Sequence, residues 1–202
     1  FLFVIFGAFV DASGAGKFFV DFARCLAGRL RGGPAKVSII SSALIGTASG
    51  SSVANVVVDG VFNIPLMKAT GFRGTIAAAV EAMNSSGGQI VPPVMGAGAF
   101  LMAEILHMPY SEVCLAAIIP ALLYFASSYW MIDLYAAAAG LRGLTRDEVP
   151  NFRKIMMAKG YLLIPLIIVL VCLMVLMLSA YRAALYGIIA LIVASWISKE
   201  SR

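Results

Sequence analysis

Charged residues are scarce in this chain of 202 amino acids. Only 12% of the residues are Asp, Glu, Lys or Arg, whereas 61% are hydrophobic. Because a soluble protein of this length needs far more charge on its surface, the composition excludes an ordinary soluble domain and favours a protein embedded in a lipid bilayer. The net charge is +5, but the basic residues are dispersed over short loops without an aromatic–basic stripe. This distribution argues against nucleic acid as a partner.

Residues that commonly carry catalysis or bind metals are also few. The chain has one histidine and three cysteines, and the cysteines lie far apart without Cys-x-x-Cys spacing. This pattern predicts neither a metal site nor a disulfide framework. Residues 13–17 imitate the end of a phosphate-binding loop, but Phe18 stands where the motif requires Ser or Thr. Because the GxSxG and HExxH motifs are absent as well, the sequence predicts no enzyme and no cofactor.

An uninterrupted apolar run is missing where one would be expected, in residues 37–68. Seven small residues divide this stretch at residues 46–52, and four of them carry hydroxyl groups. A straight membrane span needs about 20 apolar residues in a row, so residues 37–68 predict a re-entrant helical hairpin. Irregular backbone at membrane depth is tolerated only when it is buried in protein or lines a wet cavity. The tip of the hairpin therefore indicates a binding site.

A second interruption falls within residues 75–106, which predict a broken helix. Residues 84–93 place small polar residues, two glycines and two prolines in an otherwise apolar segment. One stretch of small residues commonly serves close helix packing. Two interruptions within about fifty residues are typical of a transporter core.

The remaining segments predict further membrane helices. Residues 1–36 indicate the end of a span and an amphipathic helix in the plane of the membrane interface. The apolar face of that helix is expected to hold Phe18, Phe19, Phe22, Cys25 and Leu26. Another span is expected at residues 112–139, and a cytoplasmic connector with two more spans at residues 141–202. Since Phe1 begins inside an apolar run without an initiator Met, we expect the sequence to be a piece of a longer chain.

The basic residues predict the orientation of these helices. With the connector and the mouth of the hairpin in the cytoplasm, 14 of the 15 Lys and Arg residues lie inside, and only Arg182 lies outside. Cytoplasmic loops of membrane proteins carry such an excess of positive charge.

Four stretches within or near residues 1–144 resemble one family of transporters. They are GGPAKVSIISSALIGTASGSSVANVV, IPLMKATGFR, AAAVEAMNSSGGQIVPPVMGAGAFLMAE and LAAIIPALLYF. They are similar to the large membrane subunit of tripartite ATP-independent periplasmic (TRAP) transporters, and most of all to the fused-permease branch that works with TAXI-type receptors. The resemblance implies a multi-pass permease of the bacterial or archaeal cytoplasmic membrane. It would use a sodium gradient and an elevator-like motion to take up organic acid anions.

The resemblance also implies two protein partners and a place for the ions. The partners are a periplasmic solute-binding protein of the TAXI type and a small membrane subunit, which is expected to be fused to the permease in the full chain. Residues 1–36 would be the end of a scaffold span and an arm helix. Residues 37–140 would form one half of an inverted-repeat transport core, with Na+ and a substrate carboxylate held between the two interruptions. The residues expected to contribute are Thr47, Ser49, Gly50, Ser51, Ser52, Asn55, Ser85, Ser86, Gly87, Gly88, Gln89 and Pro92.

Asp59 and Glu81 are the acidic residues expected near this site. Ionisable groups inside apolar segments are costly and commonly functional. For Asp59, an interfacial ion pair with Lys68 or Arg73 is the alternative. Asp133 is expected at the inner membrane interface without a role in the site.

Two other functions fit the same sequence. One is a receptor-independent sodium–dicarboxylate symporter of related architecture, which would transport without a binding protein. The other is a non-transporting membrane scaffold, in which the Gly- and Ser-rich stretches only permit close packing. No second tip of small polar residues follows residue 160, so the opposing half of a transport core is expected outside this sequence.

Overall fold

The computed structural model describes residues 2–197, and all regular secondary structure in that range is helical. The helices are α1 (Leu2–Ala12), α2 (Ala15–Ala27), α3 (Gly33–Ser49), α4 (Ser52–Ala69), α5 (Gly74–Gly87), α6 (Ala97–Ile105), α7 (Tyr110–Ala138), α8 (Phe152–Lys159), α9 (Leu163–Met174) and α10 (Ala180–Ile197). Short 3-10 turns at Gly88–Ile90 and Gly160–Leu162 extend α5 and link α8 to α9. The prediction of an all-α fold is confirmed.

Helix α2 lies along the hairpin and contacts both α3 and α4. Phe18 and Phe19 are buried, but Leu26, which was expected on the same apolar face, is 53% exposed. The face of α2 that is buried against α3 carries Val20 and Ala23. The buried face is therefore rotated away from Leu26.

Helices α3 and α4 form a hairpin joined by only two residues, Gly50 and Ser51. Gly50 ends α3 in the left-handed conformation (φ 60°), which glycine adopts without a Cβ clash. Ser51 begins α4, where its hydroxyl oxygen accepts a hydrogen bond from the Ala54 N–H at 3.3 Å. The helices thus extend further into the small-residue stretch 46–52 than its composition suggests.

The second interruption lies later in the chain than expected. Ser85, Ser86 and Gly87 form the last turn of α5, and the non-helical stretch spans residues 91–96. Val91 has an extended backbone (φ −84°, ψ 119°), as the residue before a proline prefers. Small polar residues can complete a helical turn, whereas Pro92 cannot continue one.

Two helical stretches of the described chain are long and apolar enough to cross a membrane, Tyr110–Ala138 and Phe152–Met174. One apolar core lies between α1, α2, α9 and α10 and reaches the end of α3. A second core lies between α3, α4, α5 and α7. The hairpin is therefore held from both sides.

Candidate functional site

The tip of the hairpin packs directly against the second interruption. A Cβ added at Gly46 would lie 2.4 Å from the Cα of Gly88, and one added at Gly50 would lie 1.9 Å from the carbonyl oxygen of Met95. Both distances are far below van der Waals contact. Glycine is required at both positions because any side chain would separate the two backbones. The two polar interruptions therefore meet in one place.

Asn55 lies beside this junction and links the two arms of the hairpin. Its side chain is fully buried, and Nδ2 donates a hydrogen bond to the Ser42 carbonyl at 2.8 Å. Nδ2 also lies close to Gly88, because a Cβ added at Gly88 would be only 2.7 Å from this nitrogen. The Oδ1 atom has no hydrogen-bond partner within residues 2–197. It can therefore accept a bond from, or coordinate, a ligand at the junction.

The other residues expected in the site are distributed unevenly. Those at or next to the hairpin tip are Thr47, Ser49, Gly50, Ser51 and Ser52. Gly88 faces the tip directly, whereas Gln89 is exposed and lines an apolar cavity of about 720 Å³ together with residues of α6 and α7. Pro92 lies in the non-helical stretch 91–96, and Met95 and Gly96 of that stretch line the same cavity. The Gly87 backbone contacts the Tyr124 ring on α7.

Two serines of the second interruption direct their hydroxyl groups back to α5. Ser85 donates to Glu81 at 3.4 Å, and Ser86 donates to the Ala82 carbonyl at 2.8 Å. Ser85 is buried, whereas Ser86 is exposed. Both hydroxyl groups are therefore engaged within their own helix.

Asp59 and Glu81 are buried in a polar network on the α3–α4–α5 side of the junction. Both side chains are 0% exposed. Asp59 Oδ2 accepts hydrogen bonds from the Ser41 and Ser42 hydroxyls at 2.8 Å each, and Glu81 accepts one from Ser38 at 2.8 Å.

The alternative expectation for Asp59 is wrong. Neither Lys68 nor Arg73 forms an ion pair with it in the described part of the chain. The reason is geometric, because Asp59 faces the interior of the hairpin while both basic side chains are exposed.

Three amide and hydroxyl side chains extend this network as far as α7. Asn63 donates to Ser41 at 3.1 Å and faces both carboxyl groups. Asn84 donates to Ser38 at 3.0 Å and accepts a hydrogen bond from Ser128 at 2.6 Å. A polar network of this size inside an apolar helix cluster fixes one arrangement of α3, α4, α5 and α7.

Sequence reasoning missed most of this network. The residues not named as site candidates are Ser38, Ser41, Ser42, Asn63, Asn84 and Ser128. One signal was available, because the three serines of α3 are spaced three and four residues apart and so share one helix face. The partners on α5 and α7 carry no such local signal.

The comparisons with known proteins place this arrangement in a family. All of residues 1–202 match the family described as "Tripartite ATP-independent periplasmic transporter, DctM component". The isethionate TRAP transporter permease protein DctMQ of Oleidesulfovibrio alaskensis is 27% identical over 98% of this chain and 31% of its own length. The C4-dicarboxylate TRAP transporter large permease protein DctM of Rhodobacter capsulatus is 33% identical over 45% of this chain and 21% of its own length.

A further relative is the uncharacterized protein YgiK of Salmonella typhimurium, which is 25% identical over 78% of this chain and 39% of its own length. The chain thus spans between 21% and 39% of the length of these three relatives. The two relatives with assigned roles are transporter permeases. The family match confirms the resemblance to the large membrane subunit: this chain belongs to the DctM component family of tripartite ATP-independent periplasmic transporters.

Proposed function

We propose that residues 37–140 form one half of the transport core of a TRAP-type permease for organic acid anions. The observation that carries this proposal is the contact between the hairpin tip and the second interruption, at Gly46–Gly88 and Gly50–Met95. Two helix breaks that meet inside a membrane protein are the usual setting of an ion and substrate site. The curated relatives named for isethionate and C4-dicarboxylates support organic acids as the substrate class.

The whole transporter would have two further components. A periplasmic binding protein of the TAXI type would deliver the substrate, and a small membrane subunit would be fused in the full chain. The relative named DctMQ supports the fusion. The transport core would move through the cytoplasmic membrane in an elevator-like motion, driven by a sodium gradient.

Sodium would bind where α3 ends. The last carbonyl groups of a helix have no partner within that helix, and the helix dipole makes this end negative. Around it lie the Ser49 and Ser51 hydroxyls and the unpartnered Oδ1 of Asn55. Carbonyl, hydroxyl and amide oxygens are the ligands that hard cations prefer.

The substrate carboxylate would bind where α4 begins. Ser51 and Ser52 open this helix, and its first N–H groups point toward the junction. A carboxylate there and a sodium ion at the end of α3 would neutralise each other's charge. Binding of one would therefore favour binding of the other.

The thermal stability of the full-length permease in detergent tests the sodium site. A ligand that binds only the folded state adds about 2.7 kcal/mol at about a hundred times its Kd. We expect a higher melting temperature in sodium than in potassium at equal ionic strength, and no such difference in Ser51→Ala or Asn55→Ala. Ser127→Ala is the matched control, because Ser127 is an exposed serine on α7. Equal stability in both salts would remove sodium from the proposal.

Uptake by the reconstituted permease tests the dependence on a receptor. We expect transport only when the binding protein is added to the outside of the liposomes. Transport without that protein would favour a receptor-independent symporter instead. Unchanged sodium stabilisation in Ser51→Ala together with absent transport would favour a scaffold.

A further inference from the structure

Two acidic side chains lie buried side by side between the hairpin and α5. Asp59 and Glu81 are both 0% exposed. A Cβ added at Gly60, next to Asp59, would lie 3.4 Å from Glu81 Cγ, and Asn63 faces both carboxyl groups. Two carboxylates in such a dry place repel each other and lose their hydration. We propose that Asp59 is a proton-binding site, with the proton on Asp59 and with Glu81 as the remaining carboxylate.

Within residues 2–197, no Lys or Arg forms an ion pair with either carboxyl group. Their hydrogen-bonding partners are hydroxyl and amide groups, which are neutral. Lys36, the buried lysine of α3, is bonded to Asp133 instead. The other charged side chains on the surrounding helices are paired with each other or exposed, namely Lys17, Asp21, Arg24, Lys68 and Glu112. The ionised pair would therefore carry two negative charges without a cationic partner, and one bound proton removes one of these charges without additional space.

The hydrogen bonds assign this proton to Asp59. Both oxygens of Glu81 accept a hydroxyl hydrogen bond, one from Ser38 and one from Ser85, as suits a carboxylate. Asp59 Oδ2 accepts two hydrogen bonds, but Oδ1 accepts none. The Oδ1 of Asn63, one turn further on the same helix face, also lacks a donor. A proton on Asp59 Oδ1 converts this unpartnered acceptor into a donor.

Release of this proton weakens the packing of the hairpin on α5. It places a second negative charge beside Glu81 where no counter-charge is available, and the repulsion acts between α4 and α5. Conversely, any movement that admits water between these helices stabilises the charged form of Asp59 and favours release. The proton site thus makes the position of the hairpin sensitive to pH. It does not depend on a sodium ion at the tip.

Infrared difference spectroscopy of the full-length permease in detergent tests the proton directly. At neutral pH a protonated carboxyl group gives a C=O stretching band that shifts in D2O, whereas ionised carboxylates give none in that region. We expect this band in the wild-type protein and its loss in Asp59→Asn. The control Glu104→Gln removes an exposed glutamate and should retain the band. A band of full intensity in Asp59→Asn, or its absence from the wild type, would overturn the proposal.

Glu81→Gln gives a second readout that does not require Asp59→Asn to fold. Because this change removes the repelling charge, Asp59 should lose its proton at a pH lower by about one unit or more. An unchanged titration midpoint would contradict the proposal. So would a midpoint that moves with sodium concentration at constant ionic strength, because sodium would then be the compensating cation. If sodium failed to stabilise the permease, only the sodium site at the hairpin tip would be excluded. The infrared spectra would be unchanged, and the proton site on Asp59 would stand.

Discussion

At the scale of single residues, the base of the hairpin depends on Asp133. The Nζ of Lys36 lies 2.6 Å from Asp133 Oδ1 and 4.1 Å from the centre of the Tyr129 ring, and Arg31 also pairs with Asp133. Lys36 is 2% exposed, whereas the Arg31 side chain is 53% exposed. Asp133, which was expected at the inner membrane interface without a role in the site, ties the start of α3 to α7. Loss of the Asp133 carboxylate should therefore destabilise the protein mainly through the buried ammonium group of Lys36 and much less through the solvated Arg31.

Asp133→Asn is expected to lower the melting temperature of the full-length permease more than Arg31→Gln does. The first change leaves the ammonium group of Lys36 buried without an anion, whereas the second removes a solvated charge. The double variant Lys36→Met/Asp133→Asn should recover part of the loss, because it removes the buried charge as well. Equal melting temperatures for Asp133→Asn and Arg31→Gln would show that the buried lysine does not need its partner.

The sequence alone identified the acidic residues of the site but not their partners. Asp59 and Glu81 stand out as charges inside apolar segments. That they face each other follows from the packing of α4 on α5, which no local pattern specifies. Asn63 escaped attention because one asparagine in an apolar run has no distinctive signal, and Asn84 was noted only as the first residue of the second interruption. Each joins the hydrogen-bond network around the carboxyl groups.

At the scale of helices, the junction depends on a backbone contact between α3 and the turn after α5. Gly46→Ala is expected to destabilise the full-length permease by about 1–3 kcal/mol, since the new Cβ would collide with the Gly88 backbone. Gly98→Ala on α6 is the matched control. No atom lies within 4 Å of a Cβ added there, so the better helix propensity of alanine should leave stability equal or slightly higher. Chemical denaturation of both variants measures the difference, and equal losses would exclude a close contact at Gly46.

The positions of the helix breaks could be predicted only approximately. Composition marked residues 46–52 and 84–93, yet the helices unwind at Gly50–Ser51 and at residues 91–96. Thr47 and Ser86 remain helical, and their hydroxyls donate to carbonyls of the preceding turn. A glycine in the left-handed conformation and a proline pair end the helices. Small polar residues indicate where a break is possible, whereas Gly50 and Pro92 decide where it occurs.

At the scale of the whole molecule, much apolar surface faces outward. On α7, Ile119, Leu122 and Leu134 are 67%, 66% and 69% exposed. A large apolar surface of this kind marks contact with lipid or with other protein segments. Helix α7 also contacts the hairpin network through Ser128 on its other side. Helix α7 therefore lies between the buried polar network and the lipid or protein outside it. This position fits a helix at the boundary of a transport core.

Residues 1–202 reconstituted alone in liposomes are expected to show no sodium-driven uptake of organic acids. They contain one hairpin and one broken helix, and they span at most 39% of the three curated relatives described above. An elevator-like core with two inverted halves would bind its substrate between them, so a single half would leave the junction at Gly46 and Gly88 covered from one side only. Uptake of a labelled dicarboxylate, measured with and without a sodium gradient, tests this expectation. The full-length permease with its binding protein is the positive control. Gradient-dependent uptake by residues 1–202 alone would mean that one hairpin and one broken helix suffice for transport.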